Sequence, residues 1–427
     1  AAGAPWFFTL FGRDSLWAAR MLLPLGTDLA GGTLRTLARR QGTVVDADRA
    51  EQPGKILHEL RSAAVSLGDE GELPPLYYGT VDATPLWVCL LHDAWRWGMP
   101  AAEVEELLPA MERALDWMVD HGDADGDGFL EYLDLTGRGL ANQGWKDSGD
   151  SVQWRDGRLA EGPIALCEVQ GYAHEAARGG ADLLEAFGRP GAERWRAWAA
   201  VLAGRFRERF WVQDDDGRYP AIALDAAKHP VDSLTSNIGH LLGTGLLSAD
   251  EETLVALRLG SSALDSGYGL RTMGTGSAGY WPMSYHGGSV WTHDTAIAVT
   301  GLVRSGHPEV AIPLLEGLLS AASDFAYRMP ELHSGDARGT VPAAVPYPAA
   351  CRPQAWSAAS AVSLLTAVLG LRADVPGGRV TLAPMSPSPV GSLSVRGLRV
   401  AGEPLDVDID AVGGVRHVAA AGHLRTT

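Results

Sequence analysis

The chain has 427 residues, of which 46% are hydrophobic and 20% charged, which suits a large folded core and excludes a disordered chain. Its 35 basic and 52 acidic side chains give a formal net charge of −17, which argues against nucleic acid or an anionic membrane as the main partner. This length predicts one large domain or two.

Helical periodicity dominates up to about residue 370, and the predicted helices are of two kinds. After a first helix over 14–23, stretches that are apolar nearly all round lie at 85–97, 164–177, 292–303 and 355–371. Amphipathic stretches with one wet face alternate with them, at 103–119, 191–212, 248–259 and 308–323. A helix without a polar face must be covered on every side, so the alternation predicts an inner ring of helices inside an outer ring. An α-solenoid is the alternative, although no fixed repeat period is found.

The pattern changes after Arg379 to short alternating strands separated by glycine and proline: RVTLAP, LSVRGLRVAG, EPLDVDIDAV and VRHVAAAG. We therefore expect an all-α, (α/α)6 toroid over 1–372 and a small β appendage over 373–427. About eleven helices are predicted where such a toroid needs twelve, so we also expect a region upstream of Ala1.

Neither a membrane span nor a disulfide framework is expected. The longest nearly uncharged run, 355–371, is shorter than the roughly 20 apolar residues of a bilayer span and contains Ser and Thr. The N-terminal residues lack the pattern of a signal peptide, which favours a cytoplasmic protein. The three cysteines lie far apart in apolar stretches and are predicted to be buried, reduced thiols.

Several predicted loops are rich in residue types that bind sugars. Each combines an aromatic residue or histidine with a carboxylate, arginine or asparagine and a glycine, which is typical of carbohydrate pockets. These loops are FGRDSLW (11–17), YYGTVDATP (77–85), NQGWKDSGDS (142–151), SNIGH (236–240), SYHGGSVWTHD (284–294) and RMPELHSGD (328–336).

Glycoside hydrolysis needs two carboxyl groups, and two of these loops offer candidates. Asp147 lies beside Trp145 and Ser148 in a glycine-bounded loop, where apolar cover would favour its protonated form. Glu331 follows Met329 and Pro330, far away in the sequence, so their pairing would have to be spatial. On the residues alone, an Asp in a polar, glycine-rich loop is more often a cap or turn residue than a catalyst.

Six motifs in order resemble the amylo-α-1,6-glucosidase part of glycogen debranching enzymes and their bacterial relatives: FGRDSLW, YYGTVDATP, NQGWKDS, PMSYHGGSVWTHD, MPELHSGD and VPYPAACRPQAW. The resemblance runs from about residue 5 to about 370. It implies an (α/α)6 toroid and an inverting, exo-acting hydrolase of terminal α-glucosidic bonds. It also implies that a β-sandwich domain precedes the toroid.

The same resemblance assigns roles to individual residues. Asp147 matches the general acid and Glu331 the general base. The residues expected to bind substrate or line its pocket are Arg13, Asp14, Asp82, Trp145, Tyr285, Trp291 and His293. Structural alternatives stay open for some of them: Asp14 could cap the first helix, Asp82 could be a turn residue, and His293 could be a core histidine. Asp150 is not included in the catalytic set.

The expected partner is an oligosaccharide or a small glycoside, with no nucleic acid, no membrane and no required cofactor. A missing N-terminal domain or a second chain could complete the protein. Two other functions remain open: another sugar specificity on the same fold, such as a rhamnoside or a mannosyl- or glucosylglycerate, and a non-catalytic oligosaccharide-binding remnant.

The acidic string DADGDGFLEYLD at 123–134 fits the first half of an EF-hand loop, with Asp134 where a bidentate Glu is usual. No flanking pair of helices is predicted. A solvated acidic turn is therefore favoured over a structural calcium site.

Overall fold

The computed structural model describes residues 2–66, 72–419 and 424–426. Its α-helices are α1 Gly12–Met21, α2 Asp28–Ala38, α3 Ala83–Arg96, α4 Ala101–Asp120, α5 Cys167–Ala186, α6 Ala192–Arg209, α7 Ala249–Leu259, α8 Thr292–Arg304, α9 Pro308–Asp324 and α10 Ala355–Leu369. Two short 3₁₀ segments lie at Leu23–Leu25 and Ser236–Leu241.

The strands are short except near the C-terminus. They are β1 Leu10–Phe11, β2 Glu59–Leu60, β3 Val65–Ser66, β4 Glu72–Leu73, β5 Leu76–Tyr77, β6 Ala165–Leu166, β7 Trp211–Asp214, β8 Gly217–Pro220, β9 Ala223–Leu224, β10 Pro230–Val231, β11 Val290–Trp291, β12 Leu332–His333, β13 Arg372–Asp374, β14 Arg379–Thr381, β15 Leu393–Val400, β16 Glu403–Ile409, β17 Val415–Ala419 and β18 Arg425–Thr426.

The covered helices form a closed ring. Going round it, α1 contacts α3, α3 contacts α5, α5 contacts the 3₁₀ segment Ser236–Leu241, that segment contacts α8, α8 contacts α10, and α10 returns to α1. The half-exposed helices α2, α4, α6, α7 and α9 pack outside it. Closure between α10 and α1 excludes an open solenoid, and the two-ring prediction is confirmed for the described residues.

Burial follows the sequence pattern. Helix α3 is buried from Ala83 to Leu91, whereas α6 buries one stripe that includes Trp195, Ala199 and Leu202. Helix α7 begins with a capping box, in which Ser248 and Glu251 each bond the other's backbone N–H.

The sequence interpretation was wrong at three places in the ring. Helix α2 was not identified, because its adjacent Gly31 and Gly32 weaken the helical pattern. Helix α5 begins at Cys167 rather than 164, because β6 pairs with β9 just before it. The fourth inner position is the 3₁₀ segment, in which Gly239 approaches Ala298 so closely that an added Cβ would lie 2.9 Å from the Ala298 Cβ.

The description "all-α" is also too narrow, because small sheets precede several inner helices. Strands β1, β2 and β5 form one antiparallel sheet, β6, β9 and β10 another, and β11 pairs with β12. The chain leaves β1, β6 and β11 directly into α1, α5 and α8. These sheets fix the loops at the amino ends of the ring.

The C-terminal strands pack on the opposite end of the ring. Sheet β15–β16–β17 contacts the segment Leu23–Leu25, and the Ala401 N–H donates to the Trp97 carbonyl. Val395, Leu398 and Val407 belong to the same hydrophobic core as the helices. The predicted boundary at 372/373 falls within β13, and residues 420–422 of the last expected strand lie outside the described residues.

Cys89, Cys167 and Cys351 are free and buried, as predicted. Among the helices of the described residues, none has both the length and the apolar character that a membrane crossing requires.

Candidate active site

The amino ends of the inner helices surround a cavity of about 180 Å³. Helix α1 contributes the first polar residues of its wall, and the loops before α5, α8 and α10 contribute others. The described residues that line it are Phe7, Phe11, Arg13, Asp14, His58, Glu59, Arg61, Val65, Leu73, Leu140, Trp145, Asp147, Tyr285, His286, Trp291, Glu331, Gln354 and Trp356. Both predicted catalytic carboxylates are therefore in one cavity.

Arg13, in the first turn of α1, connects three parts of the chain. Its Nη1 donates to both carboxylate oxygens of Asp82, at 3.2 and 3.0 Å, and to the Gly144 carbonyl at 2.8 Å. Its Nη2 donates to Asp147 Oδ2 at 3.2 Å. Because Arg13 is buried and its charge is balanced by these carboxylates, it holds the loop that carries Asp147 at a fixed place.

The Asp147 carboxyl has a pKa well above that of an ordinary aspartate. Its side chain is 31% exposed, towards the cavity. Desolvation by the surrounding protein raises the pKa of Asp147 to about 6, and the positive charge of the neighbouring Arg13 limits this rise. The next residue, Ser148, is held by His286, whose Nδ1 lies 2.8 Å from the Ser148 hydroxyl.

Glu331 is placed by strand pairing and by two donors. It precedes β12, where Leu332 pairs with Trp291 of β11. The Tyr285 hydroxyl donates to Glu331 Oε1 at 2.8 Å, and the Cys351 N–H donates to Oε2 at 3.0 Å. Burial raises the pKa of Glu331 above its ordinary value, while these donors favour its charged form and oppose the rise.

A third carboxylate, Asp14, shares the cavity. Burial raises the pKa of Asp14 to about 7; Arg13 lowers it, whereas the charges of Asp147 and Glu331 raise it further. Glu59 also lines the cavity, so four carboxyl groups share one small space and their protonation states depend on one another.

The aromatic side of the cavity is built around Trp291. Its ring centroid lies 5.7 Å from that of Trp145 and 4.8 Å from that of Tyr285, both in edge-to-face geometry. Behind Trp145, the parallel ring of His240 is 5.9 Å away. His240 Nε2 is 2.7 Å from Asp294 Oδ1, and its Nδ1 bonds the Tyr172 hydroxyl. This hydrogen-bonded chain fixes the orientation of the wall.

Seven of the nine predicted site residues line the cavity: Arg13, Asp14, Trp145, Asp147, Tyr285, Trp291 and Glu331. The other two, Asp82 and His293, are not among the described residues that line it, and their roles stay predictions. Asp82 is wholly buried and turned to Arg13 and to Thr80, whose hydroxyl donates to it at 2.7 Å. His293 stacks on Trp356, with ring centroids 3.6 Å apart, and burial lowers its pKa well below the usual value.

Sequence reasoning missed several cavity residues. His286, Gln354 and Trp356 lay inside motifs that had been noted and could have been singled out for their residue type. His58, Glu59 and Arg61 come from a stretch without any recognisable motif, and strand pairing of β2 with β1 and β5 brings this stretch to the cavity.

The acidic loop at 123–134 contains a possible cation site outside this cavity. Asp123, Asp125 and Asp127 could together hold a metal ion. Lys228, however, places its Nζ 2.8 Å from Asp125 Oδ2 and 2.9 Å from Asp127 Oδ2, and also pairs with Glu131. A calcium ion would compete with this ammonium group, and the preference for a solvated acidic turn over a calcium site stays a prediction.

A helical ring that holds two carboxyl groups and several aromatic rings in one cavity has the elements of a glycoside hydrolase. A comparison with protein families agrees: residues 13–328 match the family described as the mannosylglycerate hydrolase MGH1-like glycoside hydrolase domain. The chain belongs to this family, and the protein is a glycoside hydrolase. The more specific resemblance to amylo-α-1,6-glucosidases is not confirmed. No curated protein matches the chain.

Solved structures show the same fold at low sequence identity. The chain is similar to the GH63 mannosylglycerate hydrolase of Thermus thermophilus in complex with glucose, with a TM-score of 0.60, 15% identity, and coverage of 86% of this chain and 95% of that one. An uncharacterized conserved protein from the same organism gives a TM-score of 0.61 at 15% identity, with the same coverage of 86% and 95%. A GH78 rhamnosidase of Bacillus sp. GL1 gives 0.63 at 14% identity, over 92% of this chain and 36% of that one.

Proposed function

We propose that the protein is an inverting, exo-acting glycosidase that cleaves a small glycoside with an anionic aglycone, of the mannosyl- or glucosylglycerate type. The observation that carries this proposal is that Asp147, with its pKa raised to about 6, and Glu331, bound by two donors that favour its charged form, line one cavity. The family match and the structural likeness to a mannosylglycerate hydrolase support this specificity over glycogen branch points.

In the proposed reaction, protonated Asp147 gives its proton to the glycosidic oxygen as the bond to the anomeric carbon breaks. Glu331, ionised, accepts a proton from a water whose oxygen bonds to that carbon from the opposite face. The products are a free sugar of inverted configuration and the aglycone acid. Asp147 is then reprotonated and Glu331 deprotonated by solvent.

In a cavity whose charged side chains are mainly carboxylates, Arg61 is the position suited to an anionic aglycone. The carboxylates Asp14, Asp147 and Glu331 would repel the carboxylate of the aglycone from the deep part of the cavity. Arg13 is already paired with Asp82 and Asp147. Arg61 has one carboxylate partner among the described residues, Glu59 at 2.8 Å, and its guanidinium lies over the Phe11 ring. Its remaining N–H groups are suited to a carboxylate of the substrate.

The test is a substrate panel with matched variants. Mannosylglycerate, glucosylglycerate, an α-1,6- and an α-1,4-glucoside and an α-rhamnoside are assayed for release of free sugar. We expect kcat to be about 10²- to 10⁴-fold lower in Asp147→Asn and in Glu331→Gln than in the wild type. Asp150→Asn is the control, since Asp150 is exposed in the same loop.

The possible outcomes of the panel lead to different conclusions. Turnover of the α-glucosides in preference to the glycerates would contradict the proposed specificity and support a specificity like that of the debranching enzymes. Turnover that survives Asp147→Asn would remove Asp147 as the acid. Binding without turnover of any member would indicate an oligosaccharide-binding protein, and NMR detection of a retained anomer would exclude inversion.

A further inference from the structure

A second cavity, of about 310 Å³, lies at the other end of the ring, where the carboxyl ends of α1, α3, α8 and α10 meet. Strand β13 closes one side of it. This cavity is larger than the candidate active site and does not contain Asp147 or Glu331. The proposed hydrolysis makes no use of it.

Its charge differs in sign from that of the whole protein, whose net charge is −17. Four arginines, Arg20, Arg96, Arg304 and Arg372, line it together with two carboxylates, Asp93 and Glu175. Both carboxylates are bound by one of these arginines: Arg20 Nε is 2.6 Å from Asp93 Oδ2, and Arg20 Nη2 pairs with Glu175. Arg96 has its own partner outside the lining, Asp374, at 3.6 Å. Little negative charge is therefore left for the other two guanidinium groups.

Arg304 and Arg372 are the least compensated of these groups. Arg304 Nη2 is 4.0 Å from Glu175 Oε1, an oxygen already paired with Arg20. Arg372 forms no ion pair with any residue that the structure describes. Both side chains are exposed to solvent and so are accessible to a ligand; partial desolvation and the nearby charge of Arg304 lower the pKa of Arg372.

The carboxyl ends of the surrounding helices oppose this positive charge. A helix carboxyl end carries about half a negative charge, so arginines in the last turns of α1, α3 and α8 are ordinary. Arg372 is on β13, however, after the glycine that ends α10. Two poorly compensated guanidinium groups near each other repel, and an oxyanion that accepts from both would relieve this repulsion.

We propose that this cavity is a binding site for a small molecule that carries an oxyanion group, a phosphate or a carboxylate, held by Arg304 and Arg372. The body of the ligand lies against the apolar side formed by Trp17, Ile297 and Val303. A guanidinium pair recognises both oxyanions by the same donor geometry, so the site is defined by this shared chemistry.

The site has a physical connection to the candidate active site. Trp17 and His240 line the second cavity, and His240 stacks against Trp145, which lines the first. A ligand against Trp17 is thus separated from the sugar cavity by two layers of rings. Binding should therefore change the fluorescence of the protein, which supplies an optical readout.

The experiment measures binding of inorganic phosphate and, separately, of D-glycerate to the full chain by calorimetry and tryptophan fluorescence. We expect at least one probe to bind to wild type and to lose more than tenfold in affinity in the Arg304→Gln/Arg372→Gln double variant. Arg372→Lys should retain part of the affinity, because it keeps the charge without the two-pronged donor. The two probes distinguish a phosphate site from a carboxylate site.

Control variants locate the site. Arg158→Gln removes an exposed, paired arginine far from this cavity in sequence and should bind as wild type does. Arg61→Gln tests whether the probe occupies the sugar cavity instead. The proposal is overturned if neither probe binds, if the double variant binds as tightly as wild type, or if binding is lost only in Arg61→Gln. Circular dichroism of each variant shows that the fold is intact.

Discussion

At the scale of single residues, the charge of Arg13 sets the state of the candidate site. It is the guanidinium that touches both Asp82 and Asp147, and it also lowers the pKa of Asp14. Burial alone would push all the cavity carboxyls towards their neutral forms. The balance between burial and Arg13 leaves Asp147 with a pKa of about 6, so it can hold a proton and still release it.

This balance predicts the pH profile of kcat/KM. Asp147 must be protonated, so activity should fall as the pH rises through about 6. Glu331 must be ionised, so activity should also fall at lower pH. In Tyr285→Phe the loss of a donor to Glu331 raises the pKa of that carboxyl, and the acidic limb should move up by a few tenths to about one pH unit.

The basic limb of Tyr285→Phe serves as the internal reference, since Asp147 keeps its own contacts. A shift of the basic limb alone, with the acidic limb unchanged, would contradict the assignment of Glu331 as the base.

Arg61 supplies a prediction about specificity. If its guanidinium binds the carboxylate of the aglycone, Arg61→Gln should raise KM for glucosylglycerate by about 10- to 100-fold, the worth of hydrogen bonds to a charged group. Glucosylglycerol has the same sugar and no carboxylate, so its KM should be nearly unchanged. An equal loss for both substrates would show that Arg61 acts on the shape of the cavity instead.

Residue identity could be inferred from the sequence only where a motif marks it. Asp147 and Glu331 lie in motifs, and the structure brings them to one cavity. Asp82 and His293 lie in motifs as well, but a motif does not reveal which way a side chain turns. Arg61 had no motif, because it reaches the cavity through the pairing of β2 with β1 and β5.

At the scale of elements, the amino ends of α1 and α3 are tied by a buried ion pair. Arg13 is in the first turn of α1, and Asp82 immediately precedes α3. The pair connects two neighbouring helices of the ring beside the cavity. Its removal should therefore affect stability and catalysis together.

For Asp82→Asn we expect the free energy of unfolding to fall by up to about 3 kcal/mol, because a buried guanidinium loses its main counter-ion while Asp147 remains beside it. The charge of Asp82 also raises the pKa of Asp147, so the basic limb of the pH profile should move to lower pH. Urea unfolding and kcat/KM profiles measure the two effects.

Thr80→Val is the matched control. It removes only the neutral hydroxyl that donates to Asp82, so it should cost about 1 kcal/mol and leave the pH profile in place. Equal effects of the two substitutions would mean that the charge of Asp82 contributes little.

At the scale of the whole molecule, alternating coverage of helices was enough to predict two rings. It could not predict how the ring completes its fourth inner position. Ser236–Leu241 has neither the length nor the periodicity of a helix, and it occupies this position only because α5 and α8 pack against it from both sides. The segment fits there because Gly239 lets it approach Ala298 of α8 closely, and hydrophobic periodicity gives no sign of such a contact.

The last prediction tests that closure. Gly301 of α8 lies so close to the segment that an added Cβ would be 2.8 Å from the Leu242 Cβ and 3.2 Å from the Leu242 carbonyl oxygen. Although alanine favours a helix, Gly301→Ala should lower the free energy of unfolding by about 1–3 kcal/mol, because the ring must open to admit the methyl group. Gly32→Ala on the outer helix α2 meets nothing within 4 Å and should be stabilising by about 0.5–1 kcal/mol. Urea unfolding of both variants gives the signs. If both proved stabilising, α8 and the 3₁₀ segment would not be in the close contact that closes the ring.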